Sequence, residues 1–330
     1  MMPRQLTALA FTLTLATTAH AFSPAVIYGS SGKFDKSFNE AAFQGAERFK
    51  KATGISYREG QVNNDAQREQ VLRNLARRNV DLVVAVGFAF TQPVQAVAPE
   101  FPKVKFVIVD DVAKGGNIQS VAFREHEGAY LGGMAAALAS KTGKVGFIGG
   151  MDAPLIRNFG CGFAQGAKAA KAATVVYSNM TGTTSAAFND PARGGELALS
   201  QFDRGADVIF HAAAGTGLGV LQAAKDRNKL AIGVDSNQNH LFPGRVLTSV
   251  VKRVDNVVYQ VMMDAKQGKW QPGVVSMGLK EGGMDWTLDQ HNRALITPAM
   301  EKQINQAKQA IIAGKIKVSD YRVANSCPVK

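Results

Sequence analysis

The segment VIFHAAAGTGLG, residues 208–219, divides into three structural pieces. The apolar run Val208–Phe210 predicts a buried parallel strand. Three alanines then lead into the loop Gly215–Gly219, and Val220–Asp226 continues as a helix. A strand that passes through glycines into a helix leaves backbone N–H groups at the carboxyl edge of a sheet, where open α/β folds bind ligands. Phe210 is then expected at the lip of that edge, offering a flat face to a flat ligand.

Outward from this segment the same beat repeats. Apolar, β-branched runs fall at Ala25–Tyr28, Leu82–Val86, Phe106–Val109, Val145–Ile148, Thr174–Tyr177 and Ala231–Val234. Helical patterns lie between them, at Glu40–Ala52, Asp65–Arg78, Glu127–Ser140 and Gly194–Phe202. Such alternation predicts βαβ units and parallel sheets covered on both faces by helices. A faint echo also runs through the chain. Phe38, Phe43 and Gln44-Gly45-Ala46 follow the first strand, and Phe159, Phe163 and Gln165-Gly166-Ala167 follow Val145–Ile148. Two similar α/β lobes facing each other across a cleft account for the echo.

At 330 residues, 46% hydrophobic and 19% charged, the chain has material for two domains or one bilobal unit. Residues 1–21 stand apart: Arg4 gives a positive start, Leu6–Thr17 an apolar stretch, and Ala19-His20-Ala21 a small-x-small site, the pattern of a cleaved signal peptide. Export to the periplasm is expected, with the mature chain starting near Phe22. That residue is not cysteine, so no lipid anchor is expected. No later apolar run reaches the ~20 residues of a membrane span. A net charge of +12 raises the question of nucleic acid. The basic residues, however, are spread along helices, as with Arg68, Arg73, Arg77 and Arg78, without interleaved aromatics. A solvated basic surface is expected, and no nucleic-acid partner. Cys161 and Cys327 form one bridge only if the fold brings them together, which sequence leaves open.

The candidate site residues gather at strand ends. Asp110 and Asp111 close the third strand, and Asp235 closes the strand Ala231–Val234. An ionised carboxylate accepts several hydrogen bonds and suits ligand hydroxyls, although helix capping uses the same residue types. Lys252 follows another apolar run, Leu247–Val251. In the first loop Ser37 or Asn39 can cap the following helix, and Phe38 at its start serves either as a ligand face or as a hydrophobic staple. The five histidines lack metal-ligand spacing, and neither G-x-S-x-G, a P-loop nor G-x-G-x-x-G is present. No metal, cofactor or catalytic residue is expected. Asp110 with Asp235 as an acid–base pair for nucleoside hydrolysis is the enzymatic alternative.

Several segments together carry a resemblance: Asp35-Lys36-Ser37-Phe38-Asn39, Glu127-Gly128-Ala129-Tyr130-Leu131, Gly149-Gly150-Met151-Asp152-Ala153-Pro154, the opening glycine stretch, Gly233-Val234-Asp235, and Leu247 to Asp255. In this order they resemble the BMP (basic membrane protein, PnrA-like) family of ABC-transporter substrate-binding proteins, whose best understood members bind purine nucleosides. The resemblance implies a type I periplasmic binding protein: two Rossmann-like lobes with parallel sheets, joined by a three-crossing hinge. It assigns residues 22–124 and 240–275 to the N-terminal lobe, and 125–239 and 276–330 to the C-terminal lobe. Crossings are expected near Val121–Glu127, Asp235–Pro243 and Pro272–Leu279. Phe38 and Phe210 would sandwich the base and Asn39 would bond its edge. Asp110, Asp235 and Lys252 would hold the ribose, helped by backbone near Gly215. Phe159 and Phe188 are second choices for stacking, with core packing as their expected fate. An ABC permease at the inner membrane is the implied partner of a monomer; a receptor-coupled sensor, or a binder of free purines or other small polar molecules, are the alternatives. Relatives often carry an aspartate just after the first strand. Here Gly29-Ser30-Ser31 stands in its place, which leaves the base preference open.

Overall fold

The computed structural model describes residues 21–62 and 64–329. The expected signal peptide, residues 1–21, lies outside the described residues except for Ala21. The first half runs β1 (Pro24–Tyr28), α1 (Phe38–Thr53), β2 (Arg58–Gln61), α2 (Arg68–Ala76), β3 (Leu82–Val86), α3 (Thr91–Val97), β4 (Lys105–Val109) and β5 (Ile118–Phe123). The second runs α4 (Glu125–Ala139), β6 (Lys144–Met151), α5 (Pro154–Ala170), β7 (Val175–Gly182), α6 (Pro191–Asp203), β8 (Val208–Ala212), α7 (Gly217–Asp226), β9 (Leu230–Asp235) and β10 (Val246–Lys252). The chain ends with α8 (Val254–Lys266), β11 (Gly273–Met277), β12 (Met284–Trp286), α9 (Pro298–Ile312) and α10 (Tyr321–Ala324).

Two six-stranded sheets result, in the orders β11-β5-β4-β3-β1-β2 and β12-β10-β9-β8-β6-β7. Their inner strands are short runs of Val, Ile and Ala buried on both faces, as in PAVIY and LVVAV, the pattern of strands sandwiched between helix layers. The first sheet is wholly parallel. The second carries one antiparallel edge strand, β12, against β10. The fold is the α/β, two-lobed architecture expected from the sequence.

The chain passes from one sheet to the other at Arg124, at Arg253 and across residues 278–283. The second passage corrects the expected boundary at Asp235–Pro243. The run Val246–Lys252 is buried along its whole length and pairs in parallel with β9, so residues 240–252 stay in the C-terminal lobe. Only then does α8 cross over to pack against α1. The passages are laced together: Arg124 N–H donates to Met277 O at 2.9 Å, and Arg253 N–H donates to Gly283 O at 2.8 Å. Cys161 on α5 and Cys327 beyond α10 are joined as a disulfide, which pins the last turn of chain to the C-terminal lobe.

Candidate functional site

A cavity lies between the carboxyl edges of the two sheets and encloses about 660 Å³ of empty space, its mouth included. The N-terminal lobe contributes Gly29–Ser31, Phe38 and Asn39 after β1, Arg68 on α2, Gly87–Phe90 after β3, and Asp110 after β4. The C-terminal lobe contributes Leu155, Ile156 and Phe159 from α5, Ser185 and Phe188 after β7, Ala212 at the end of β8 and Ala214 just after it, and the strand-end residues Val234, Asp235 and Lys252. Strand ends in two facing parallel sheets converge on one cleft, as this architecture requires.

One end of the cavity is polar and buried. Lys252 closes β10 with its ammonium ion-paired to Asp110 of the other lobe and to Glu125 Oε1, 3.2 Å away. The same nitrogen sits over three rings, 5.4 Å from Phe38, 4.9 Å from Phe123 and 5.4 Å from Phe159. Burial alone would strip its proton, but Asp110, Glu125 and Asp235 around it hold its pKa above the ordinary lysine value. Two cations, Lys252 and the Arg322 guanidinium 3.5 Å from Glu125 Oε2, face three carboxylates in this buried cluster. Desolvation therefore wins at Asp110, whose pKa is pushed up despite its bond to Lys252. It wins at Asp235 too, which rises to about 6 against the pull of Lys252 and the Ser37 hydroxyl. Both aspartates adopt left-handed backbone, with φ of 94° at Asp110 and 62° at Asp235, a strained setting for a residue with a Cβ.

The other residues expected at the site divide. Phe38 lines the cavity at the first turn of α1. That helix is capped by Asp35, which accepts the backbone N–H groups of Ser37, Asn39 and Glu40 and the Ser31 hydroxyl. Ser37 and Asn39 are therefore not the side-chain caps. Asn39 lines the cavity, but its amide is spent on the first loop, donating to Gly29 O, Ser31 Oγ and Gly32 O and accepting from Gly29 N–H. It shapes the loop instead of presenting a free edge.

Phe210 requires a correction. The strand runs two residues further than expected, to Ala212, and its alternation turns Phe210 inward against Phe147, Phe159 and Phe163, with ring centroids 5.4–6.2 Å away. It is fully buried core, and Ala212 and Ala214 take the lip. Phe159 and Phe188 both line the cavity; Phe159 is also buried in the core, as expected, against Phe210, and Phe188 meets Phe88 of the opposite lobe edge-on at 6.2 Å. Gly215 lies behind Ala214, packed near Phe188 O and Asp35. The helix opens at Gly217, three residues early. A Cβ there would overlap the His211 ring, and one at Gly219 would overlap Pro191 O, so these glycines serve close packing of α7 and not a ligand cradle.

Sequence reading missed Glu125 and Arg68. Arg68 was grouped with solvated arginines, yet it is only 4% exposed. Its guanidinium pairs with Asp65 at 2.7 Å, donates to Ser185 Oγ at 3.1 Å and lies over Phe90. Neither residue carried a motif. Glu125 stands at the first crossing, two positions before the quoted Glu127-Gly128-Ala129 run.

The family model of PnrA-like (Bmp) ABC-transporter substrate-binding proteins matches residues 25–322. An ABC-transporter nucleoside-binding protein of Lactococcus lactis, BmpA, is 34% identical over 319 residues, covering 89% of this chain and 88% of that one. A Pyrococcus abyssi protein named as a lipoprotein is 32% identical over 288 residues, 83% of this chain and 71% of its own. The crystal structure of an ABC-transporter solute-binding protein from Aeropyrum pernix is similar with a TM-score of 0.84 and 28% identity, over 91% of this chain and 93% of that one. With the match running from β1 to α10, the chain belongs to the PnrA-like family of ABC-transporter substrate-binding proteins, which bind a solute for transport and are not enzymes.

Proposed function

We propose that the protein captures a purine nucleoside between its lobes and delivers it to an inner-membrane permease. The observation that carries this reading is the pairing of an aromatic cage, Phe38, Phe159 and Phe188, with the buried Asp110, Asp235 and Lys252 in one enclosed cavity. The base stacks among the rings, which is worth about 1–3 kcal/mol per base in other aromatic sites. The ribose hydroxyls donate to the carboxylates and accept from the ammonium. Asp110, Glu125 and Asp235 outnumber Lys252 and the Arg322 guanidinium that pairs with Glu125, and Arg68 in the wall is already paired with Asp65, so a neutral nucleoside is favoured over a nucleotide. The name of the Lactococcus relative, a nucleoside-binding protein, agrees with this reading. The lobes touch across the cleft through Ser236 Oγ to Ser37 O at 2.9 Å and Gln238 Nε2 to Lys36 O at 2.9 Å. Hinge opening about the three passages admits the ligand, and closure presents a new surface to the permease. We take the protein to work in the periplasm, where a PnrA-like substrate-binding protein meets its permease.

The test is isothermal titration of unfolded, ligand-stripped and refolded protein with adenosine, guanosine, inosine, uridine, free purines and ribose. Tight binding of purine nucleosides with little heat from ribose is expected. Binding confined to free bases or sugars overturns the assignment.

A further inference from the structure

His211, the penultimate residue of β8, is fully buried and packs under the start of α7, where only a glycine at 217 leaves room for its ring. Its Nε2 lies 3.1 Å from Gln238 Oε1, and its Nδ1 has no hydrogen-bond partner. The neighbours of Gln238 settle which nitrogen carries the proton. Gln238 Oε1 also accepts the Val234 N–H at 3.0 Å, and Gln238 Nε2 donates to Lys36 O of the other lobe at 2.9 Å. A backbone N–H only donates and a carbonyl only accepts, so the amide has one allowed orientation. The oxygen facing His211 must then receive a proton from Nε2, which leaves Nδ1 bare. Burial keeps the ring in this neutral form, with its pKa lowered to about 4.

Resting on the reading that the cleft closes over its ligand, we infer that His211 is a positioning residue for closure, holding the Gln238 amide ready to bond Lys36 O. Both donors to Gln238 Oε1 belong to its own lobe, one on β8 and one on β9. The amide is therefore set before the other lobe arrives. Lys36 stands two residues before Phe38, which lines the cavity, so the bond fixes the stretch of chain that brings a ring to the ligand. Ser37 Oγ to Asp235 and Ser236 Oγ to Ser37 O complete the same clasp. Without the His211 proton, Gln238 Oε1 keeps a single donor and the amide is freer to turn its oxygen toward Lys36 O, where two acceptors repel. The glycine that opens α7 thus serves closure through the ring it makes room for.

The test is calorimetry with adenosine, guanosine and inosine on refolded wild type, His211→Leu, His211→Gln, Gln238→Met and the His211→Leu/Gln238→Met double variant, with thermal unfolding alongside. His211→Leu and Gln238→Met are each expected to weaken binding roughly three- to tenfold. His211→Gln carries an N–H to the place of Nε2 and should bind as the wild type does. In the double variant the two losses should not add, because both act through one bond. If the leucine variant fails to fold, His211→Met takes its place. Unaltered affinity in His211→Leu, additive losses, or affinities that simply follow Tm across the variants overturn the role of His211 and leave nucleoside capture standing. Silence of the wild type toward every nucleoside overturns that capture instead. X-ray scattering then decides the clasp: a larger radius of gyration in His211→Leu than in the wild type supports it, and equal values overturn it.

Discussion

Ser37 Oγ donates to Asp235 Oδ2 at 2.5 Å, joining the loop before α1 in one lobe to the end of β9 in the other. Hydrogen bonds to charged, buried acceptors contribute about 1.5–3 kcal/mol, and this one exists only while the cleft is closed. Ser37→Ala is therefore expected to weaken ligand binding roughly tenfold, with an unchanged circular dichroism spectrum. Unaltered affinity in calorimetry would remove this bond from the closing force.

Asp235, with its pKa raised to about 6 by burial, gives binding a pH profile. In its proposed role the ionised carboxylate accepts ligand hydroxyls; protonated, it loses acceptor capacity. Between pH 7.5 and pH 5 the nucleoside affinity should fall by roughly tenfold. Stability of the ligand-free protein moves the other way. The folded state holds a proton on Asp235 between about pH 4 and 6 that the unfolded chain gives up, so its contribution is present at low pH and lost as pH rises through about 6. The melting temperature of Asp235→Asn should therefore gain on the wild type at pH 7.5 compared with pH 4.5, and a constant difference would contradict this.

Phe159 and Phe210 touch at 6.2 Å between ring centroids, yet their truncation should have different consequences. Phe159→Ala removes a cavity face and a ring beneath Lys252, and should weaken binding by about 5- to 150-fold. Phe210→Ala opens a void among Phe147, Phe159 and Phe163, at about 3–5 kcal/mol, and should lower Tm by roughly 10 °C with a smaller effect on affinity. Thermal unfolding and calorimetry on both variants separate the two roles, and the reverse ranking would reverse the assignment.

The Cys161–Cys327 bridge closes a span of 166 residues in sequence. Constraining so long a loop in the unfolded chain stabilises the fold by about 2–4 kcal/mol in typical cases. Replacing both cysteines by serine should lower Tm by several degrees and leave nucleoside affinity unaltered, because neither sulfur lines the cavity. A variant as stable as the wild type would show that the bridge adds nothing to stability.

Much of this arrangement can be read from the residues. Strand ends in parallel sheets converge on one edge, so Asp110, Asp235 and Lys252 could be found by where their apolar runs stop. Phe210 was misplaced because stopping a strand two residues early hides its alternation, and parity decides whether an aromatic faces the cleft or the neighbouring helix. The sequence did hold a pointer to Phe159. β1 and β6 occupy equivalent places in their sheets, and the helices after them carry Phe38 and Phe159 in the two arms of the internal echo, so symmetry relates the two cavity-lining rings. Arg68 had no such pointer. Helical periodicity identifies the core face of α2, but whether a basic side chain at its start meets water or another lobe depends on how the lobes close. The path of residues 236–253 was equally hidden, since a loop between two apolar runs does not say which sheet receives the second.

The three passages between the lobes bear on the order in which the molecule can be completed during synthesis. The first sheet waits for its edge strand β11 until Met277, and the second waits for β12 until Trp286. A nascent chain stopped at residue 270 holds both halves unfinished, each with an unpaired edge. Neither lobe is one contiguous stretch that can be released early as a folded unit. Maturation of both is tied to the final stretch of translation, when the strands that seal them emerge within a dozen residues of each other.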